Sequence, residues 1–516
     1  MSAGPGPGAG RPNVLVLMVD QQRADSLGCY GGFGAQVCRT PRLDRLAGQG
    51  IRYERAYTAS PLCSPARASL LTGLWPTHHG MLFNSLGRPG DFRQRGRLPD
   101  DMPSLGRLFR DPGYHTSYFG KWHVGAEEDI RRLGFDEGPP STERGAPEVP
   151  SPRDYPLIDP VRRRWLRDPT VYSAVTTADG EAIREIWLAR RAQEWLRAHV
   201  AQRPAEPFLC FVSTPGPHWP CVVPERYAAR YDWRAVPLPG NLEDTLEGKP
   251  AAHRVYRDEA GESGTLTDDE WRKCLARYYA FVTLIDDAFG EILDTLDELA
   301  VAEDTLVVYL ADHGDIMGAH RLFDKGPFMY EETVRIPLIM RWPRAMPAGR
   351  VVEPFVHTID VLPTLLEAAG LPPPRSPYGR QGALASGAPQ GAAVPPAPSA
   401  SAAGETVGSL DGRSLWPLIR GETPADWPAE AYSQFHGHGA SRGLYDVRLL
   451  RTTRHKLVYY PHDIDELYDT LADPWELQNL AQRPEHQALR DELQERLVAW
   501  MQRADDPLWH WMKRRR

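Results

Sequence analysis

Short apolar runs recur along the chain, and each closes on polar or charged residues. Asn13 to Val19 reads Asn-Val-Leu-Val-Leu-Met-Val and is followed by Asp20-Gln21. Phe208 to Val212 runs into Ser213 and then His218, and Thr305 to Leu310 runs into Ala311-Asp312-His313-Gly314. A less apolar stretch from His115 to Phe119 leads to Gly120-Lys121-Trp122-His123. Near-continuous apolar runs of this length mark strands of a parallel sheet covered on both faces. Open α/β sheets bind ligands beyond the carboxyl ends of their strands. Four strand ends that deliver Asp, Lys and His therefore predict one assembled site.

Helical periods fill the gaps. Thr40-Pro41 opens a helix that stops near Gly48 or Gly50, and another follows Asp360 through Leu365-Leu366 to Gly370. Thr267 and Glu270 form a capping box ahead of a long amphipathic stretch to about Leu299. Within it Tyr278, Tyr279, Phe281 and Ile285 read as core packing. Pro65 suits the first position of a helix, which places Cys63 just before a helix N-terminus, where free N–H groups and the dipole favour an anion. Arg67 lies one turn further on, with a planar fork suited to oxyanions.

Two segments read as loops or inserts. Gly138 to about Asp168 is rich in Pro and Arg, and Pro372 to about Gly408 is dominated by Ala, Ser, Pro and Gly and is expected to be flexible. Beyond them, strand-like Lys456–Tyr460, Glu466–Asp469 and a final helix predict a small α+β unit. The expected organisation is a flexible N-terminus (1–11), a large α/β catalytic domain (12–371), the insert (372–408) and a C-terminal α+β subdomain (409–516).

Composition narrows the function classes. The 516 residues can bury a large core. A net charge of −8 gives no basic field for nucleic acid, and Lys513 to Arg516 reads as a solvated tail. No apolar stretch approaches the ~20 residues that span a bilayer, so no membrane partner is expected. Met1 to Gly10 is Gly/Pro-rich without an apolar core, from which a cytoplasmic protein without a secretory signal is expected. The six cysteines lack close Cys-x-x-Cys pairs, and a chain of this size needs no disulfide framework. A homo-oligomer is left open.

Cys63-Ser64-Pro65-Ala66-Arg67, followed by Ala68-Ser69-Leu70-Leu71-Thr72-Gly73, resembles the sulfatase signature. In that family a maturation enzyme oxidises the cysteine to formylglycine, and the aldehyde hydrate is the nucleophile. Gly120-Lys121-Trp122-His123 resembles another sulfatase segment, and His218 and Lys325 fall where the family places further active-site cations. Asp20, Gln21, Asp312 and His313 resemble the metal-binding positions of the sulfatase and alkaline-phosphatase-like superfamily. Two departures stand out: Gln21 occupies a position where a second aspartate is usual, and His313 one where asparagine is frequent. Calcium is the family default; the imidazole nitrogen brings in Mn²⁺, and Mg²⁺ also suits hard oxygen ligands.

The resemblance implies an alkaline-phosphatase-like, mostly parallel sheet flanked by helices, with a smaller C-terminal α+β domain. It implies a sulfuric ester hydrolase, arylsulfatase-like, acting on a small-molecule or carbohydrate sulfate ester with one divalent metal. By resemblance, matured Cys63 attacks sulfur, while the metal and Arg67 hold and polarise the nucleophile and Asp312 assists its deprotonation. Lys121, His218 and Lys325 bind the sulfuryl group, His218 or Lys325 protonates the leaving alcohol, and His123 helps to release sulfate.

The alternative on the same scaffold is a phosphonate monoester or phosphodiester hydrolase. Val19-Asp20-Gln21-Gln22-Arg23-Ala24-Asp25 resembles that branch, and Asn84 lies at a spacing from Cys63 that it uses for substrate contact. Lys121-Trp122-His123 belongs instead with sulfatases. A non-catalytic binding module would have lost nucleophile or metal positions, and no such loss is visible. Trp122, Trp219, His436 and His438 are candidates for lining a sugar or aryl cleft, with the Gly138–Asp168 loop and the C-terminal unit as specificity elements.

Overall fold

Seven strands form the central sheet of the computed structural model, which describes residues 10–85, 97–126, 128–138, 149–165, 168–374, 410–438 and 444–514. They are β1 (Asn13–Asp20), β2 (Ile51–Tyr53), β3 (His115–Gly120), β4 (Phe208–Pro217), β5 (Thr305–Ala311), β6 (Leu338–Arg341) and β7 (Arg350–Val352). Their order is β7-β2-β6-β5-β1-β4-β3. The four apolar runs of the sequence are adjacent in space and mutually parallel, with Val14 to Val19 in register with Leu209 to Thr214 on one side and Leu306 to Ala311 on the other. All their carboxyl ends therefore lie along one edge. Strand β6 runs antiparallel to β5 and ends the parallel half. Val14 to Val19 are at most 1% exposed, as a strand covered on both faces requires.

Helix α1 (Cys63–Thr72) enters the sheet edge and is buried along its whole length. Helix α2 (Asp268–Glu298) begins at the expected Thr267/Glu270 capping box, and Tyr278, Tyr279, Phe281 and Ile285 are buried in the core. Tyr278 does more than pack, because its hydroxyl accepts the Arg23 N–H at 3.0 Å just beyond β1. The helices Pro41–Gly48 and Val361–Ala368 also stand where the sequence places them.

Two expectations are corrected. The Gly138–Asp168 segment is not all loop: Leu157–Trp165 is a strand, paired antiparallel with Asp168–Thr176. Most of its prolines precede the strand, though Pro160 lies within it, and Arg162 and Arg164 are exposed, where a charged side chain costs little. Strand β4 continues past Val212 to Pro217, so that Asp20 pairs with Pro217 across an irregular register. A sequence reading of Thr214-Pro215-Gly216 suggests a turn, but the backbone stays extended.

The C-terminal part is a four-stranded antiparallel sheet (Ala431–His438, Leu444–Arg451, His455–Tyr459, Glu466–Asp469) covered by the helix Gln487–Arg503, in agreement with the α+β expectation. Most of the 372–408 insert, residues 1–9 and the last two residues lie outside the described residues. Among those described, no helix is long and apolar enough to cross a membrane.

Gly120 is the hinge between β3 and Lys121. Its φ is +94°, and a Cβ there would lie 2.1 Å from the Ser213 carbonyl oxygen. Left-handed strain and overpacking add, so Gly120→Ala is expected to cost about 2–4 kcal/mol. A urea titration checks this, and an unchanged midpoint would refute it.

Candidate active site

Helix α1 starts two residues earlier than Pro65 suggests. Cys63 is its first residue, Leu62 is the cap, and the Ala66 N–H donates to the Leu62 carbonyl at 3.0 Å. Proline is tolerated third because the whole first turn lacks intrahelical acceptors for its N–H groups. One of those N–H groups, on Ser64, donates to Asn84 Oδ1 at 3.0 Å. Asn84 therefore caps the helix that begins with Cys63 from a distance.

Arg67 occupies the centre. Its Nε donates to Asp312 Oδ2 at 2.9 Å and one terminal nitrogen to Asp20 Oδ2 at 2.7 Å. The other reaches the Lys121 carbonyl and Ser213 Oγ, both at 2.8 Å. One guanidinium thus ties the ends of β1, β3, β4 and β5 to helix α1. Lys121 Nζ adds a second cation on Asp20 Oδ2 at 2.7 Å. Burial opposes ionisation of Asp20, but Lys121 and Arg67 outweigh it and hold the carboxyl well below its usual range. Asp312 goes the other way: burial and the neighbouring Asp20 charge push it up to about 6.

Cys63 Sγ lies 3.2 Å from His313 Nε2 and 3.9 Å from Asp20 Oδ1. Burial and Asp20 disfavour the thiolate, yet Lys121, Lys325 and His313 prevail and hold the thiol well below its ordinary value. His313 Nδ1 donates to the Gly314 carbonyl at 2.8 Å, which leaves Nε2 facing the sulfur. Burial works against a charged ring there, but Asp312 and Cys63 raise His313 to about 9.

The donor set fits a divalent cation. Ligand atoms of Asp20, Cys63, Asp312 and His313 all lie within 4.8 Å of one another and are buried. The His313 ring is oriented by its second nitrogen, as ligating histidines are. Asp312, strained by an adjacent carboxylate, is short of positive charge. Gln21 comes to the edge of this group with its backbone N–H on Asp312 Oδ1 at 3.0 Å. Its side chain bridges outward instead, donating to Asp315 at 3.0 Å and accepting from Lys325 Nζ at 2.7 Å.

Lys325 Nζ has three acceptors for its three protons: Gln21 Oε1, His218 Nε2 at 2.8 Å and Asp324 Oδ1 at 3.0 Å. His218 Nδ1 donates to the Trp219 carbonyl at 2.6 Å. Burial and the Lys325 charge hold His218 below its ordinary value, in its neutral form. His123 sits in a left-handed backbone conformation (φ 55°), with a buried Nδ1 that has no partner among the described residues.

The cleft candidates separate. Trp122 is fully buried and packs edge-on against Tyr118 and Phe135, so it belongs to the core. Trp219 is half-buried and stacks beside His218 at 5.6 Å. His436 is buried with Nδ1 on Asp446 at 2.6 Å, and the His438 side chain lies outside the described residues. Residues that the sequence reading missed include Ser213, Tyr118, whose hydroxyl donates to the Lys121 carbonyl at 2.6 Å, and Thr58, which donates to the Asp312 carbonyl at 2.6 Å. Asp315 and Asp324 were also missed, though both flank residues already singled out. Titrated with Ca²⁺, Mn²⁺ or Mg²⁺ in a calorimeter, the metal-stripped protein should take up one ion, and Asp312→Asn should weaken uptake about tenfold or more. Equal affinity in the variant would remove Asp312 from the ligand set.

Comparison with known proteins places this geometry. The profile of the family described as Sulfatase matches residues 12–371, and that described as N-sulphoglucosamine sulphohydrolase, C-terminal, matches residues 400–503. The uncharacterised sulfatase YidJ of Escherichia coli (strain K12) is 30% identical over 96% of this chain and 88% of its own length. An N-acetylglucosamine-6-O-sulfatase of Bacteroides thetaiotaomicron is 26% identical over 94% of this chain and 86% of its own. Among solved structures, the phosphonate monoester hydrolase of Agrobacterium radiobacter has a TM-score of 0.73 at 24% identity, covering 96% of each chain. A protein solved in complex with its substrate D-glucosamine-2-N,6-O-disulfate has a TM-score of 0.70 at 23% identity, covering 96% of this chain and 98% of that one. These last two likenesses are of fold. With the family profile spanning most of the chain, the protein belongs to the sulfatase family and is an enzyme of that family.

Proposed function

We propose that the protein hydrolyses sulfate monoesters with Cys63 in the oxidised formylglycine form and one divalent metal ion. Sulfated sugars are the favoured substrates. The observation that carries this reading is the convergence on Cys63 of a buried ligand set of two carboxylates and an imidazole (Asp20, Asp312, His313) and separate cations (Lys121, Lys325). Formylglycine, an aldehyde in place of the thiol, supplies a hydrate oxygen as nucleophile. A divalent ion held by Asp20, Asp312 and His313, with Gln21 at its edge, would acidify that oxygen and polarise the ester.

The other parts follow from this chain's own side chains. Arg67 aligns both carboxylates and, through the Lys121 carbonyl, fixes the backbone that carries Lys121. Lys121 and Lys325 present ammonium groups where negative charge grows on the sulfuryl oxygens, a type of contact typically worth about 3–4 kcal/mol. His218 is neutral and Lys325 charged, so the pair holds one transferable proton at Nζ, 2.8 Å from Nε2. As the S–O bond breaks, the leaving oxygen takes that proton. His123, whose buried Nδ1 has no partner among the described residues, is assigned by resemblance to the second half of the reaction. Asn84, which caps α1 at Ser64, and the half-buried Trp219, which stacks beside His218, are assigned to substrate contact. Sulfated sugars are favoured by the activities for which relatives are named, among them the N-acetylglucosamine-6-O-sulfatase.

A phosphonate or phosphodiester substrate is the second reading, favoured by Gln21 in place of an aspartate and by the fold likeness to a phosphonate monoester hydrolase. Enzyme co-produced with a maturation system should contain a Cys63 peptide in which H₂S has been replaced by O. It should cleave para-nitrophenyl sulfate at least about tenfold faster than phenyl para-nitrophenyl phosphonate, and Cys63→Ala should abolish both rates. Full activity with an unmodified thiol in the peptide mass spectrum would refute the formylglycine reading. A reversed rate ratio would assign the enzyme to the second one.

A further inference from the structure

The lysine that holds the proton sits on a segment without regular structure. Leu322 to Tyr330 form neither helix nor strand, so this backbone has few partners of its own. Three of its carbonyls, at alternate residues, are instead taken by side chains from elsewhere. The Tyr256 hydroxyl donates to the carbonyl of Lys325 itself, Tyr460 Oη lies 3.1 Å from the Pro327 carbonyl, and Lys456 Nζ donates to the Met329 carbonyl at 2.9 Å. All three donors are buried, with Lys456 at 0% and Tyr460 at 2% exposure.

Packing reinforces the bonds. A Cβ on Gly326 would lie 2.7 Å from the Phe328 ring and 2.8 Å from that of Tyr256, so the turn after Lys325 is moulded onto the tyrosine. Phe328 meets Tyr256 edge-on at 5.3 Å, and one apolar cluster joins both to Tyr330 and to Tyr468 of the C-terminal sheet. Lys456 is anchored in turn by Glu476, and Tyr460 by Glu466 and His253, each at 3.0 Å. Two of the three donors thus come from the C-terminal sheet region. None touches Cys63, the ligand set or His218 directly.

A lysine head with three acceptors at 2.7–3.0 Å tolerates little drift of its backbone. We propose that Tyr256, Tyr460 and Lys456 are positioning residues that set Lys325, and through it His218, for protonation of the leaving alcohol. The proposal rests on the acid role given above to the Lys325–His218 pair. A displaced proton donor matters little when the leaving oxygen is a stable anion and much when it is basic. The dependence of rate on the leaving group therefore reports the clamp, whereas a general loss of folded protein lowers every rate alike.

The test uses matured, metal-loaded Tyr256→Phe and Tyr460→Phe enzymes on a series of aryl sulfates from para-nitrophenyl to phenyl. Each variant should keep its KM, lose less than about twofold in kcat on para-nitrophenyl sulfate and lose about tenfold on phenyl sulfate. Parallel losses across the series, or a wild-type slope, would overturn the proposal. Lys325→Ala separates the two layers of the argument. If it leaves the slope unchanged, the acid assignment falls and the clamp with it. If it steepens the slope while both tyrosine variants do not, the clamp alone falls. Should Tyr256→Phe fail to fold, the slope of Tyr460→Phe decides by the same criterion.

Discussion

Two carboxylates meet at adjacent strand ends in a site closed to water, and Arg67 is what lets them coexist. Asp20 and Asp312 are 0% and 2% exposed. Their ionisation there would be prohibitive without a counter-charge, and removing one member of such a buried set typically costs about 3–5 kcal/mol. Arg67 answers with two of its nitrogens, one on each carboxylate, and its third grips the Lys121 carbonyl and Ser213. The parallel half of the sheet, helix α1 and Cys63 are therefore tied together by one guanidinium. A lysine there would supply the charge but not the fork.

The arginine does not satisfy both carboxylates equally. Asp20 has Lys121 as a second cation and stays ionised, while Asp312 is pushed up to about 6. Asp20 is thus the compensated carboxylate of the pair and Asp312 the less compensated one. On the proposed reading the ligand set would receive the metal ion, while Lys121 would meet substrate oxygens. Lys325 continues the cations around to His218, with Gln21 as the neutral bridge between Lys325 and Asp312.

Sequence made the strand ends legible because parallel strands buried on both faces show no alternation, and their polar residues can fall only at their ends. The ligating and cationic residues sit there, or in motifs with fixed spacing. The extension of β4 to Pro217 was not legible, since Thr-Pro-Gly-Pro is as good a turn as a strand until Asp20 pairs with it. The same holds for the hairpin of Leu157–Trp165, whose prolines and arginines carry no apolar period. Ser213, Thr58, Tyr118 and Asp315 escaped for another reason. The partners of Ser213, Thr58 and Asp315 lie far away in the chain, and Tyr118, though only three residues from Lys121, meets that carbonyl only because the backbone turns at Gly120. Trp122 and Trp219 show the limit most plainly: identical side chains, each next to a residue of the candidate site, and only the fold sends one into the core and leaves the other half-buried.

Cys63 is 1% exposed, walled in by α1, the strand ends and the Lys325 segment. No macromolecular catalyst can reach that sulfur in the finished protein. The exchange of thiol for aldehyde that the proposed chemistry requires thus belongs to the history of the chain rather than to its native state. Synthesis supplies the interval, because Cys63 emerges early and Lys456 and Tyr460, which help to brace the far wall of the site, emerge late. A polypeptide that closes before it is modified would be perfectly folded and permanently silent.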